Sequence, residues 1–377
     1  MYSYINTIIN NEDINTTKIN NVFIDINTII ENNLTKYTNN IDLYENIKKY
    51  IDKIILDNIK SINNFTIFYT TYIPFSKIIT LKVNYNFINE KQILILPNTK
   101  FHIKLKQHIT DFIKTINDRY ENINIKLNND KNLEIFKQII NNINENKNIL
   151  IYTDDFDVIF PLMLNFQNNN NIYIHSNKKT FNLNQIHTYL QNEYNILIDD
   201  FFIFYFVLGN KYIIKNQMFK KEKSVIALES LLQFYKQNHY KFIENDIINF
   251  KNINNFFKLY IDQNKIIQNI KKNQNINDLY FNYNSMITWN YLYFKLKKIN
   301  NNYCYQYYNT PCLISNNTKI DENILKSTYN LNNKYYLLNI IKQDFYVKYF
   351  TKSFLKNIVY QIDNNDEFLS KYLSLIN

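Results

Sequence analysis

One glycine, four prolines, two cysteines and one tryptophan in 377 residues are the scarcities of this chain. With Gly209 as the single glycine, a Gly-rich phosphate loop is excluded, because such a loop needs several backbone amides that a ligand approaches without meeting a Cβ. Cys304 and Cys312 are too few and too clustered to staple a chain of this size or to ligate zinc by themselves, so a reduced, intracellular setting is expected. The histidines at 102, 108, 175, 187 and 239 form no paired-ligand spacing, which argues against a histidine metal site. No apolar run approaches the ~20 residues of a membrane span. The opening MYSYINTIINNEDINTTK has no basic stretch followed by an apolar one. The expectation is a soluble, unsecreted protein without a membrane partner, cytoplasmic rather than nuclear.

What is present is core-forming material and positive charge. A hydrophobic content of 46% with 16% aromatic suffices for a sizeable core. The balance of 43 Lys+Arg against 33 Asp+Glu gives +10, which favours a polyanionic partner such as RNA or DNA. Asn, Ile, Lys and Tyr dominate throughout, and these are residues of A/T-rich codons. Composition therefore leaves genome bias open as a second source of the basic excess, as in a virus or a protist.

Three short runs rich in β-branched and aromatic residues read as buried strands: NVFIDI at 21–26, FTIFYT at 65–70 and NILIYT at 148–153. Between them, segments such as 105–116 and 133–143 carry helical spacing, so strand and helix alternate as in an α/β sheet. Beyond residue 215 the strand signals fade and helical patterns prevail, as at 224–237 and 252–261. The expected division is an α/β part over 1–215 and a mostly helical extension over 216–377. No fixed-period repeat is evident.

Loops that leave the carboxyl ends of strands in an open α/β sheet converge on one crevice, where acidic side chains can gather around a cation. Asp25 ends the first strand, and Asp154, Asp155 and Asp157 follow the third. An all-oxygen site of this kind suits Mg²⁺ or Mn²⁺, and two such ions are the usual apparatus for phosphodiester hydrolysis. The same TDDFD stretch also reads as a turn that caps the next helix, a role Asp fills well. Asp199 and Asp200 precede an apolar helix and read as its cap, while Trp289 and the aromatic cluster at 303–308 could stack bases but read rather as core.

The order of these segments resembles the Xrn-type 5′→3′ exoribonucleases, members of the PIN-like nuclease superfamily. VFIDINTIIENN at 22–33 resembles the family's first motif, a strand that ends in a metal Asp. YIPFSK at 72–77 and LPNTKFHIKL at 96–105 are similar to the Val-Ala-Pro-Arg-Ala-Lys segment and its Pro-Gly-Thr sequel. IYTDDFDVI at 151–159 takes the place of Asp-x-Asp, and IDDFFIFYFVLGNKYI at 198–213 that of Ile-Asp-Asp-Phe followed by Gly-Asn-Asp-Phe. The similarity runs on through KEKSVIALESLLQFYK at 221–236, ITWNYLYFKLKK at 287–298 and YCYQYYNTPCLIS at 303–315. Gly209, Pro74, Pro97 and Pro311 all fall where the family has Gly or Pro, leaving only Pro161 without a counterpart. Gly and Pro persist where the backbone needs a special φ, so this agreement points to an inherited fold.

The resemblance implies a PIN-like α/β fold that hydrolyses RNA from a 5′-monophosphate end with Mg²⁺ or Mn²⁺. In it Asp25, Asp155 and Asp157 hold the metal, Asp130 assists, and Lys77 and Lys82 bind the terminal phosphate. Departures from the pattern run alongside. In the two-glutamate motif Asp130 and Asn132 replace Glu, Thr70 stands at another metal Asp, and Lys211 stands where Gly-Asn-Asp places its last one. Asn84 and Tyr85 replace paired arginines, and Glu31 replaces a base-stacking His. Two functions follow as expectations: an Xrn-like exoribonuclease with a depleted site, or an inactive Xrn-like protein that binds RNA, with DNA as the other polyanion. Lys77 and Lys82 also read as ordinary solvated lysines.

Overall fold

The computed structural model describes residues 19–34, 40–59, 61–70, 72–74, 77, 80, 96, 99–128, 130, 133–144, 147–167, 169, 171–264, 276–297 and 310–311. Its centre is a six-stranded sheet of β1 (Asn21–Asp25), β2 (Asn64–Phe68), β3 (Asn124–Asn128), β4 (Ile149–Tyr152), β5 (Ile172–Ser176) and β6 (Lys179–Asn182), in the order β3-β2-β1-β4-β5-β6. All neighbours pair in parallel except β6, which returns antiparallel along β5. That return is a two-residue turn in which Asn177 and Lys178 both take positive φ, 48° and 64°. A hairpin of this length needs such φ values to match the strand twist.

Period-2 alternation sorts the strand residues onto two buried faces. Val22, Ile24, Phe65, Ile67 and Leu150 enter one apolar cluster with α1 (Ile26–Leu34), α2 (Asn40–Asn58) and α3 (Lys100–Arg119). Phe23, Phe68, Ile149, Ile151 and Ile174 enter the other. That second layer holds α4 (Ile135–Asn142), α5 (Phe156–Asn165), α6 (Leu183–Tyr194), α7 (Ile198–Val207), α8 (Ser224–Asn238), α9 (Phe250–Asn264) and α10 (Ile276–Phe294). A short hairpin of β7 (Ile243–Glu244) and β8 (Ile247–Ile248) lies between α8 and α9. The fold is thus mixed α/β with a mostly parallel central sheet flanked by helices, and the described part beyond residue 215 is mostly helical, as expected.

Aromatic side chains fill the second layer. The helix α7, IDDFFIFYFV, is apolar on nearly every side and is correspondingly buried. Its Phe202 meets Phe294 of α10 edge-on at 6.1 Å, and its Phe204 meets Phe256 of α9 at 5.5 Å. Trp289, fully buried as expected, stacks on Tyr293 at 4.5 Å. Residues from both sides of position 215 share this one cluster, so α10 docks against the elements that carry the acidic residues. Among the described residues no helix is long and apolar enough to cross a membrane.

Asp200 corrects one expectation. The residue that caps α7 is Leu197, and Asp200, one turn in, is buried. Its Oδ1 accepts the Phe242 and Ile243 amides at 3.0 and 2.8 Å, and its Oδ2 accepts the Tyr235 hydroxyl at 2.7 Å. A capping position is legible in sequence, but the entry of β7 supplies donors from 42 and 43 residues away that compete better for the carboxylate. Asp199 turns to Tyr291 and Lys295 of the α10 end, at 2.6 and 3.1 Å.

Candidate active site

Strands β1 and β4 are adjacent and parallel, with Ile24 opposite Tyr152. Asp25 and the segment 153–157 therefore leave the sheet side by side at its carboxyl edge, where a parallel α/β sheet collects its polar groups. Asp25 is 1% exposed. Its Oδ2 accepts the Thr153 and Thr28 hydroxyls at 2.8 and 3.1 Å, and its Oδ1 accepts the Asn27 amide at 3.0 Å. Burial, followed by the neighbouring Asp155 charge, pushes its carboxyl up to about 7, so these donors only partly repay the loss of water.

Both readings of the TDDFD stretch contain part of the arrangement. Asp155 caps α5, its Oδ1 accepting the Asp157 amide at 2.9 Å. Asp157 sits in the first turn of that helix, buried, and its Oδ1 accepts the Tyr205 hydroxyl of α7. Facing both is Lys211, whose ammonium donates to Asp155 Oδ2 at 2.7 Å and lies 3.7 Å from Asp157 Oδ2. Burial raises the Asp157 carboxyl to about 6, aided by Asp155 and opposed by Lys211. Desolvation would also raise Asp155, but Lys211 and Lys77 outweigh it and hold that carboxyl below its ordinary value. Desolvation would lower Lys211, yet Asp155, Glu31 and Asp157 hold it charged well above the ordinary lysine range.

The turn that presents Lys211 depends on the chain's one glycine. Gly209 has φ +81°, and a Cβ there would come within 2.7 Å of the Lys215 backbone. The Asn210 side chain then accepts the Tyr212 and Ile213 amides at 2.8 and 2.9 Å, and the Asn216 amide closes back on the Val207 carbonyl at 2.8 Å. A side chain at 209 would open this loop and withdraw Lys211 and Tyr212 together.

A second carboxylate cluster lies alongside. Glu134, 4% exposed at the start of α4, accepts the Tyr293 hydroxyl at 2.8 Å and the Tyr212 hydroxyl at 3.0 Å, with the Lys77 ammonium at 3.2 Å. Lys77 also stands 5.5 Å from the Tyr212 ring, and Lys137 stands 3.5 Å from the Tyr293 ring. The acid that this stretch buries is thus Glu134. Asp130, the expected assistant, is solvent-exposed after β3. The signal that separates them is the apolar helix directly behind Glu134, which anchors it in the core.

The other expected residues fall as follows. Thr70 accepts a hydrogen bond from the Asn27 side chain and is buried. Glu31 is exposed on α1, near enough to Lys211 to act on its charge. Asp154 is a bolt: its carboxylate accepts the Asn32 side chain, the Ser176 hydroxyl and the Asn177 amide at 2.8, 2.9 and 2.8 Å. Lys82, Asn84, Tyr85, Pro97, Asn132 and 303–308 lie outside the described residues.

The donor set can be tested against a divalent ion. Among the described residues no group of three His, Cys, Asp or Glu side chains is arranged to hold a metal. Both oxygens of Asp155 and of Asp157 already face a donor, and the shared donor is a cation. Asp25 is spent on two hydroxyls and an amide, and Glu134 on Lys77 and two tyrosines. As arranged, Asp25, Asp155 and Asp157 share one edge of the sheet but do not fit a divalent ion.

No family model and no curated protein matches this chain. Among solved structures it is similar to the catalytic core of Rad2 in complex with DNA substrate, with a TM-score of 0.46 and 12% identity over 83% of this chain and 90% of that one. It is also similar to a bacteriophage T5 flap endonuclease in a pseudo-enzyme–product complex with DNA and metal ions, with a TM-score of 0.34 and 8% identity over 57% of this chain and 75% of that one.

Proposed function

We propose that this chain is an Xrn-like, RNA-binding protein on a PIN-like scaffold that holds nucleic acid without hydrolysing it. The observation that carries this reading is the Lys211 ammonium 2.7 Å from Asp155 and 3.7 Å from Asp157. Metal-assisted hydrolysis needs carboxylates free to hold ions that activate water and neutralise the phosphorane-like charge. A fixed positive charge at ~4 Å opposes an incoming cation by several kcal/mol at an intermediate dielectric, per unit of its charge. Lys77 is likewise drawn towards Glu134, which leaves it a weaker phosphate ligand than a free lysine.

Binding is supported by the charge of the chain. The excess of +10 attracts a polyanion. Internal neutralisation of the acid cluster also removes the repulsion that bare carboxylates would exert on a phosphate backbone. Lys211 keeps 39% of its side chain exposed, so its charge still faces an incoming strand. Lys77 and Lys82 remain the proposed contacts for a terminal phosphate, with RNA preferred over DNA on the strength of the Xrn resemblance.

The test uses 5′-monophosphorylated RNA, with single-stranded DNA of the same sequence as competitor, in Mn²⁺ and in EDTA. The expected outcome is full-length RNA throughout and an affinity, read by fluorescence anisotropy, that falls at least ~10-fold between about 50 mM and about 200 mM salt. Mn²⁺-dependent shortening of the RNA from its 5′ end, absent in an Asp155→Ala/Asp157→Ala variant, would overturn the proposal and establish the exoribonuclease instead.

A further inference from the structure

We infer that Lys211 is an internal replacement for a divalent cation: its ammonium is the charge around which the Asp155 and Asp157 carboxylates are assembled, and removing it uncovers a latent metal site. The inference rests on the functional reading above in one respect only, that the acid cluster is neutralised from within. It adds what the neutralising group does for the architecture, and what the same carboxylates would bind in its absence.

Three observations converge on it. First, Lys211 is held in place by construction, since its loop depends on Gly209, whose φ of +81° and 2.7 Å approach to the Lys215 backbone no other residue tolerates without strain. Second, Asp155 and Asp157 are two residues apart at a helix start, and each turns one oxygen inward, to the Asp157 amide and to the Tyr205 hydroxyl respectively. Their remaining oxygens point at the same ammonium, at 2.7 and 3.7 Å. Third, Glu31, on the exposed side, adds to the negative field that holds this ammonium charged.

An ammonium is a sound structural substitute here and a poor chemical one. It brings one positive charge and three N–H donors that suit carboxylate oxygens. It has no open coordination position and cannot lower the pKa of a bound water as a divalent ion does. The carboxylates therefore keep their arrangement with no metal present, while the hydrolytic chemistry is lost. With the lysine gone, Asp155 and Asp157 would share a pocket in which the one remaining lysine charge acting on them is Lys77, itself paired with Glu134, and a small hard cation with oxygen preference becomes the natural occupant. The lysine thereby accounts for both features of the site, its retained acids and its missing metal geometry.

The experiment is thermal unfolding of the full chain in EDTA and in a Mn²⁺ series, with bound Mn²⁺ counted by electron paramagnetic resonance. For the wild type we expect the same melting temperature in both conditions and no stoichiometric Mn²⁺. Lys211→Ala should melt lower in EDTA and regain stability saturably with Mn²⁺, one tightly bound ion appearing in step. Lys211→Arg, which keeps the charge, should behave as the wild type does. If Lys211→Ala does not fold in EDTA, refolding from urea on addition of Mn²⁺ supports the inference, and failure to refold overturns it. It is also overturned if the wild type binds Mn²⁺ stoichiometrically and is stabilised to the same extent, or if Lys211→Ala is indifferent to Mn²⁺. Because RNA affinity is read separately, loss of RNA binding with this pattern intact would sink the functional reading and leave the lysine's role standing.

Discussion

Asp25→Asn should make the protein more stable at neutral and alkaline pH, although it removes an acid from the centre of the candidate site. The wild-type carboxyl is 1% exposed and is pushed from its ordinary 3.8 up to about 7, chiefly by burial. Because its folded-state pKa is raised, the stability it contributes is fully present below about pH 4 and is lost as pH rises through about 7. About three decades at ~1.4 kcal/mol each amount to on the order of 4 kcal/mol. The amide cannot ionise, so it escapes this loss. Its Oδ1 can keep the Asn27 amide, and the Thr28 and Thr153 hydroxyls, 3.3 Å apart, can turn towards each other. Rearranging those hydroxyls costs ~1 kcal/mol, which leaves a net gain on the order of 3 kcal/mol near pH 8 that turns into a deficit of ~1 kcal/mol near pH 4. Asp157, raised to about 6, titrates in the same window in both proteins and cancels in the difference. The assay is urea unfolding across that range at fixed ionic strength, followed by emission from the one tryptophan, Trp289, which is fully buried. Parallel stability curves for the two proteins, or a variant less stable at about pH 8, would refute the reasoning.

Two further outcomes are expected of the scaffold. Gly209→Ala should destabilise the chain by about 2 kcal/mol or more, since its φ of +81° is strained for any side chain and the contacted atoms are Lys215 backbone; an unchanged urea midpoint would contradict this. Asp200→Ala should strip hydrogen-exchange protection from the Phe242 and Ile243 amides while those of Val22 and Ile24 in the sheet stay protected, at a cost of roughly 1–3 kcal/mol for each orphaned group. A uniform loss across the sheet would mean that Asp200 supports the whole fold rather than the β7 junction.

The site differs from a metal centre in how its charge is distributed, and the difference follows from ordinary electrostatics. A divalent ion gathers carboxylates from several elements around one point. Here the same edge of the sheet holds two smaller clusters, Asp155 and Asp157 around Lys211 and Glu134 around Lys77, with Asp25 satisfied by hydroxyls between β1 and β4. Each cluster is closed by tyrosine hydroxyls: Tyr205 on Asp157, and Tyr212 and Tyr293 on Glu134. Because Tyr293 belongs to α10, the C-terminal helix of the described part is hydrogen-bonded directly to the acid cluster.

Local periodicity was enough to read β1, β2 and β4, the helices α3, α4, α7, α8 and α9, the acids that end β1 and follow β4, and the burial of Trp289, because burial and backbone preference leave their mark within a few residues. The weak strands β3, β5 and β6 were not legible: NIKLN, IYIHS and KTFN are short and half polar, and become strands only by adding to the edges of a sheet that already exists. The scarcity of glycine pointed to a special backbone need at position 209, and Gly209 takes a positive φ there. What only the tertiary structure decided is pairing. Lys211 meets Asp155 across 56 residues and Tyr293 meets Glu134 across 159, and no local pattern specifies which side chain comes to lie opposite which. A carboxylate's role is set by the charge placed opposite it, and in this chain the packing of α7, α10 and the Gly209 turn places lysines there.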